Sequence, residues 1–389
     1  MAAPEFDIVV YGASGYTGRL VAEYLTRRRL GEADLKWALA GRDREKLAAT
    51  RAEIGAPNST PLFVAAANDS NALRDLAARA SVVLSAAGPY QQFGSDLVAA
   101  CVEFGTDYVD LCGEPNWMRE MIDAHEQTAA GSGARIVFSC GFDSVPFDLG
   151  VLFLQDEARR RFGGPCIEIK ARVRKMKGDL SGGTVASLRA TRAACSDAAV
   201  ADLMVNPFAL TPGFAGPKQP SDSTPHFDDC ISAWVAPFIM APINTKTVHR
   251  SNMLLGHAYG AGFLYSEMLV TGPGERGQKL AAAIASGDAL AREDATKPGE
   301  GPTTEERASG HYDILFMGRM ADGRAIFASV AGDADPGYGS TSKIIAESAL
   351  CLLRDHPETP GGIWTPASAL GLALTARLER NAGLTFRIE

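Results

Sequence analysis

Near its amino terminus the chain carries three glycines at three-residue spacing, in Gly12-Ala13-Ser14-Gly15-Tyr16-Thr17-Gly18. An apolar run, Asp7 to Tyr11, leads into them, and an amphipathic stretch from Gly15 to Arg29 follows with Leu20, Val21, Tyr24 and Leu25 on one face. A strand–turn–helix of this kind can hold a pyrophosphate. Gly12 permits a tight turn, Gly15 lets backbone approach the phosphates, and Gly18 lets helix and strand pack closely, while the helix N-terminus offers free N–H groups. All seven residues are therefore candidate cofactor contacts; the competing reading is a tight turn with no ligand. Further on, Ala40-Gly41-Arg42 ends a second apolar run. Sites for NAD place Asp or Glu there to hold the ribose 2′-hydroxyl, whereas Arg42 offers a planar cation to a 2′-phosphate. Arg44 and Lys46 follow, and Asp43, one position late, reads as a helix cap. The cofactor expected is NADPH rather than NADH.

Three more segments hold chemistry. Ser85-Ala86-Ala87-Gly88-Pro89-Tyr90 puts small residues at a strand's end, where a cofactor can lie against backbone. Ala87, Gly88 and Pro89 are candidate contacts, and Tyr90 is a candidate hydrogen-bond or proton donor near the nicotinamide; a packed tyrosine explains it equally well. Tyr108 to Glu114 (YVDLCGE) and Cys140 to Asp148 (CGFDSVPFD) each follow a strand at the same sheet edge. Their polar side chains could bind substrate or join domains, with a structural role slightly ahead for each acid taken singly; Ser144 and, far downstream, Tyr338 are further catalytic candidates behind Tyr90. The six histidines include no H-E-x-x-H, and the seven cysteines no C-x-x-C, so neither a metal site nor a disulfide framework is expected. With no nucleophile–base pair at a recognisable spacing, the hard chemistry falls to the cofactor.

These motifs need a frame. From residue 7 to residue 140, short apolar runs alternate with helix-like stretches, which predicts a Rossmann-like, doubly wound parallel sheet with helices on both faces. After Phe142 the pattern changes: Cys166 to Arg174 alternates with period two, and Tyr312 to Met320 with Arg324 to Val330 flank Asp322-Gly323 as a hairpin. The fold class expected is α/β, with a second α+β domain on a mainly antiparallel sheet. The boundaries read as 1–145 for the NADP-binding domain, 146–332 for the substrate or dimerisation domain, and 333–389 for carboxy-terminal helices returning to the first. The chain has 389 residues, 46% hydrophobic and 22% charged, with a net charge of −8. That acidity is wrong for sequence-independent nucleic-acid binding. The absence of any apolar run of about 18 residues argues against a spanning helix. A cytoplasmic location is expected, and peripheral membrane contact and a homodimer stay open. The segment Ile231 to Ile243 (ISAWVAPFIMAPI) reads either as core strand or as a wall for an apolar substrate.

Taken together, GASGYTG, AGR, SAAGPY, YVDLCGE and CGFDSVPFDLG resemble the saccharopine dehydrogenase-like oxidoreductases. Within them, Ser181 to Thr184, Phe238 to Pro242, Arg250 to Asn252, Asp335 to Tyr338 and the segment Gly361 to Ala367 are similar to the trans-acting enoyl reductase family. The resemblance implies an NADPH-dependent reductase. In mycobacteria such proteins reduce a carbon–carbon double bond of an acyl chain bound to a polyketide synthase, for phthiocerol and phenolphthiocerol lipids. The partner implied is thus an acyl substrate presented by an acyl-carrier domain. Two alternatives remain. One is reduction of an imine, as in saccharopine-type enzymes, with Arg172, Arg174, Arg189 and Arg250 available for carboxylates; the other is a non-catalytic dinucleotide-binding scaffold at lipid surfaces.

Overall fold

The computed structural model describes residues 4–28, 35–178, 182–287, 300–356 and 358–389. Within the motifs above, residue 181 and the side chains of 182–184 lie outside the described residues. So do residues 293–299 of the polar, charged stretch Glu293 to Gly310, which reads from the sequence as a long loop, and residues 288–292 of Glu275 to Arg292, which reads as a short helix.

The first sheet is built from β1 (Phe6–Tyr11), β2 (Trp37–Gly41), β3 (Leu62–Val64), β4 (Ala80–Ser85), β5 (Asp107–Asp110) and β6 (Arg135–Val137). Between them run α1 (Tyr16–Arg28), α2 (Arg44–Glu53), α3 (Ser70–Arg79), α4 (Tyr90–Phe93), α5 (Ser95–Phe104) and α6 (Pro115–Ser132), and α7 (Val145–Phe162) follows. Ile8, Val9 and Val10 are β-branched and fully buried, as a central strand covered on both faces requires. Asp43 caps α2 by accepting from the Glu45 and Lys46 N–H groups, and Asp69 caps α3 through the Ala72 N–H.

The second sheet takes β7 (Glu168–Lys177), β8 (His226–Asp228), β9 (Ala233–Pro237), β10 (Leu264–Gly272), β11 (His311–Arg319) and β12 (Ala325–Gly332). Its helices are α8 (Gly182–Ala194), α9 (Ala198–Val205), α10 (Ala241–Leu254), α11 (Gly274–Ala285) and α12 (Thr304–Ser309). A π-turn, Pro336–Ser340, opens α13 (Thr341–Arg354), and β13 (Gly362–Trp364), α14 (Pro366–Asn381) and β14 (Leu384–Ile388) close the chain.

The first sheet has the order β13-β6-β5-β4-β1-β2-β3 and is parallel throughout. The second has the order β14-β12-β11-β7-β10-β9-β8, antiparallel except where β10 lies parallel to β7. The α/β class with a mixed second sheet is therefore what forms. Of the stretch expected to return to the first unit, α13 and β13 pack there, whereas β14 extends the second sheet beside β12. Its alternating Leu384 and Phe386 bury on that sheet. One hydrophobic cluster spans both units, from Ile8 and Val10 through Val145, Leu149, Ile344 and Leu374 to Ala171, Phe316 and Val330. Helices α7, α13 and α14 thus fill the space between the sheets, and the loops at the carboxyl edge of the first sheet face the second unit.

The turn after β1 behaves as its glycines dictate. Gly12 has φ +82°, and a Cβ on Gly18 would lie 2.2 Å from the Gly12 carbonyl oxygen. That distance leaves no room for a methyl group without moving backbone. Gly18→Ala is expected to lower the unfolding free energy by about 1–3 kcal/mol, the usual cost of overpacking. Denaturant unfolding of the purified variant measures it, and an unchanged midpoint would show that α1 can withdraw from the turn freely.

Candidate active site

A cavity of about 860 Å³ runs along the carboxyl edge of the first sheet. At one end stands Arg42, exposed, without hydrogen bond or ion pair among the described residues, beside Ala66, Ala67 and Asn68. In the middle lie Gly12, Ser14, Gly15, Tyr16 and Thr17, then Ala87 and Gly88 after β4. Ala13 is fully buried and Gly18 packs on Gly12, so these two shape the turn from behind rather than line the wall. Pro89 is the N-cap of α4 and is also off the wall.

The geometry fits a dinucleotide phosphate. α1 has no acidic residue in its first turn, so its N-terminal N–H groups meet no competing charge. A Cβ on Gly12 would press on Ala86 and Ala87 at 3.1 Å, whereas one on Gly15 would meet only the Gly12 carbonyl at 3.2 Å and would otherwise enter the cavity. Tyr16 stands edge-on to Tyr338 at 5.1 Å between centroids. Its hydroxyl donates to the Pro302 carbonyl and accepts from Arg307 at 2.9 Å, so the segment before α12 closes over the glycine turn.

The three catalytic candidates separate. The Tyr90 hydroxyl donates to the Ser85 carbonyl and accepts from the Leu111 N–H, both at 3.1 Å, and burial holds it far above the ordinary phenol range. Tyr90 also lines the cavity, and its hydroxyl braces the ends of β4 and β5. The Ser144 hydroxyl donates to Asn244 at 3.0 Å, and Asn244 in turn donates to Glu267 at 2.7 Å. Ser144 is buried in this network and is not among the residues that line the cavity. Tyr338 lines the cavity.

The acids of the two edge loops are also sorted. Asp110 accepts from the Cys112 and Ser139 N–H groups and from the Tyr108 hydroxyl. Glu114 accepts from the Tyr90 and Gln91 N–H groups and from the Ser187 hydroxyl, each at 2.9 Å. Asp148 accepts from the Ser251 hydroxyl at 2.6 Å and the Ala367 N–H at 2.8 Å. Asp143 alone of these lines the cavity.

Beyond Gly88 the wall is made by Leu188, Met204, Ile239, Met240, Pro242 and Ile243. In the Ile231 to Ile243 segment, Val235 and Ala236 are buried in strand, and the last residues line the cavity. Sequence reasoning missed α8, which presents Ser187, Leu188, Thr191, Arg192 and Cys195 to the same space. Their spacing marks one helix face, a signal present in the sequence. Three of the four arginines held ready for carboxylates are spent: Arg172 on Asp228, Arg174 on Asp313 and Glu389, and Arg250 on Glu126 and the carbonyls of Leu210 and Ile363. Arg189 is exposed and off the wall. Among the described residues no three His, Cys, Asp or Glu side chains could hold a metal, and no helix is long and apolar enough to cross a membrane.

Residues 8–137 match the saccharopine dehydrogenase NADP-binding domain, so NADP(H) is the cofactor of this chain. The chain is 39% identical over 416 residues to a Mycobacterium tuberculosis protein named as a trans-acting enoyl reductase, covering 98% of this chain and 97% of that one. It is 38% identical to the trans-acting enoyl reductase of Mycobacterium ulcerans, covering 97% of each. Among solved structures, the saccharopine dehydrogenase (L-Glu forming) of Saccharomyces cerevisiae superposes with a TM-score of 0.55 at 13% identity, covering 99% of this chain and 100% of that one; that likeness concerns the fold.

Two substitutions test the cofactor end. Arg42→Ala should weaken NADPH by roughly tenfold or more, the scale of one lost charge-assisted bond to phosphate, and leave NADH almost unaffected. Fluorescence titration of both nucleotides decides it, and equal affinities in the unmodified protein would remove the role from Arg42. Gly15→Val puts a branched side chain into the cavity at a position whose backbone is not left-handed. It should fold and lose nucleotide binding, in contrast to Gly18→Ala; normal NADPH binding by this variant would show that the turn does not cradle phosphate.

Proposed function

The chain belongs to the trans-acting enoyl reductase family, and on that premise we propose that it reduces the α,β carbon–carbon double bond of an acyl thioester. We further propose that the acyl chain arrives on the carrier domain of a partner synthase and that the product serves lipid or glycolipid biosynthesis. The observation that carries the reading is the composition of the cavity beyond Gly88. An apolar wall from Leu188 and Met204 to Ile243 suits an acyl chain, while a substrate with several carboxylates would need cations that are bound elsewhere. Arg192 is the one cation at that end of the wall among the described residues.

The chain's own part is binding and polarisation. The Gly12–Thr17 turn and the start of α1 hold the pyrophosphate, and Arg42 holds the 2′-phosphate. The small residues Ala86 to Gly88 let a flat ring lie against backbone, where Ser187 packs close to Gly88. NADPH, when bound there, supplies the hydride that the β-carbon receives. Negative charge then develops on the thioester oxygen, which needs a donor that is already in place. Tyr338 is the hydroxyl retained from the sequence for that task. The remote apolar wall orients the chain, and closure of the 300–303 segment over Tyr16 holds water away from the crevice.

The test follows reduced-nicotinamide absorbance with an α,β-unsaturated acyl thioester, an imine and a ketone side by side. Turnover is expected with the thioester, fastest when it rides on an acyl-carrier domain. Tyr338→Phe should slow it by about 10²–10³, the usual scale for one oxyanion donor. Turnover confined to an imine would transfer the protein to the saccharopine-type reaction. Tight NADPH binding with no turnover on any of the three would leave a dinucleotide-binding scaffold.

A further inference from the structure

The cavity wall holds eight titratable or charged side chains among the described residues. They are Tyr11 of β1, Tyr16 of α1, Arg42 after β2, Tyr90 of α4, Asp143 after β6, Arg192 and Cys195 at the end of α8, and Tyr338 of the π-turn. Asp143 is the single carboxyl, and no histidine or lysine joins it. It is also the acid of the edge loops that structure does not consume. Asp110, Glu114 and Asp148 each accept two or three hydrogen bonds from backbone and hydroxyl donors, whereas Asp143 has no hydrogen bond or ion pair among the described residues.

Its neighbours fix where it points. Phe142 turns into the core against Phe147 and Tyr312, with its N–H donating to the Thr341 hydroxyl at 2.9 Å. Ser144 is tied to Asn244 on the other side. The half-buried Asp143 between them opens to the cavity that Tyr338 and Thr341 also line. Among the described residues, a carboxyl that accepts no hydrogen bond, in a wall that holds no other carboxyl, has no structural task in the fold.

We infer that the Asp143 carboxyl delivers the proton that completes reduction of the substrate at this site. The inference rests on the reading above for its acceptor, the α-carbon of the enoyl thioester. The β-carbon gains hydride, the electron pair of the former double bond passes to the α-carbon and thioester oxygen, and the Asp143 O–H bond breaks as the α-C–H bond forms. The carboxylate left behind takes a proton from solvent when product leaves, so one NADPH and one proton are consumed per double bond. The site's own physics suits the task. Burial, the one cause acting on it, pushes the Asp143 carboxyl up to about 6, close to neutral operating pH, where an acid is both populated and able to transfer its proton.

Asp143→Asn tests this with three readouts. The variant should lose about 10²–10⁴ in turnover, the range of a general acid, and keep its NADPH affinity. The rate of the wild type should fall as pH rises above about 6, and that limb should be absent from the residual rate of the variant. Third, stability should not suffer. A carboxyl whose folded pKa lies above its unfolded value costs stability once ionised, and the cost grows as pH rises towards and through about 6. The Asn variant should therefore melt at or above the wild type at pH 8, with the gap narrowing through pH 5 and closing below about pH 4, the ordinary carboxyl range.

Full activity of Asp143→Asn on an enoyl thioester that the wild type reduces overturns the inference and leaves the enoyl reading intact. Loss of NADPH binding or a lowered melting point in the variant also overturns it, by making Asp143 a structural residue. A wild type that ignores enoyl thioesters but reduces an imine or ketone, with that activity lost in Asp143→Asn, sinks the enoyl reading and upholds the donor. A wild type inert towards all three substrates sinks both.

Discussion

The architecture of the crevice hangs on one carboxylate, that of Glu114. The turn into α4 leaves the Tyr90 and Gln91 N–H groups without helical acceptors, as every helix start does, and Glu114 takes both while accepting from Ser187 on α8. Three pieces of chain distant in sequence meet on it: the loop after β4, the start of α6 and the helix that roofs the substrate end. The side chain is fully buried, so its charge is tolerated only because all three donors are present. Removing any donor would leave a buried anion short of partners. The small-residue run Ala86 to Gly88 is thereby held at a fixed distance from α8, and the width of the crevice at the nicotinamide end follows.

The same economy of polar groups operates further out. Asp148 joins α7 to Ser251 of α10 and to the start of α14, and Arg250 joins α10 to α6 and to the carbonyl before Trp364. Glu347 of α13 receives the Tyr24 hydroxyl, Arg377 and Asn381. Each contact links elements belonging to different sheets or to the helices between them. The polar tethers lie around the shared apolar cluster and fix its helices in register, which hydrophobic contact alone does only loosely because it is non-directional.

What remains after those demands are met is a short inventory facing the cavity. Among the described residues it holds two guanidinium groups, Arg42 and Arg192, one carboxyl, Asp143, and the apolar side chains of Leu188, Met204, Ile239, Met240, Pro242 and Ile243. A hydride acceptor with a long apolar chain matches this distribution. A tricarboxylate or amino-acid imine does not, since Arg172, Arg174 and Arg250 are already neutralised by acids of the second unit and its neighbours.

The sequence alone determined the glycine turn and the strand end beside it. A glycine turn between a β-branched strand and an amphipathic helix is a local device, and the positions of Gly12, Gly15, Gly18 and Arg42 follow from residues adjacent in the chain. Alternation of buried runs with helices likewise determined the parallel sheet, and period-two segments the second one, because both patterns are set by geometry within one element. Tertiary structure decided the rest. Tyr90, Ser144 and four acids stand in equivalent-looking motifs at the same sheet edge. Which hydroxyl is spent on a carbonyl or an amide, and which carboxyl is left facing the cavity, depends on partners a hundred or more residues away, such as Asn244, Ser251 and Ala367. The return of β14 to the second sheet and the presence of α8 over the crevice are of the same kind. No local pattern encodes them, because burial of a polar group is favourable only once its partner has been brought to it by the fold.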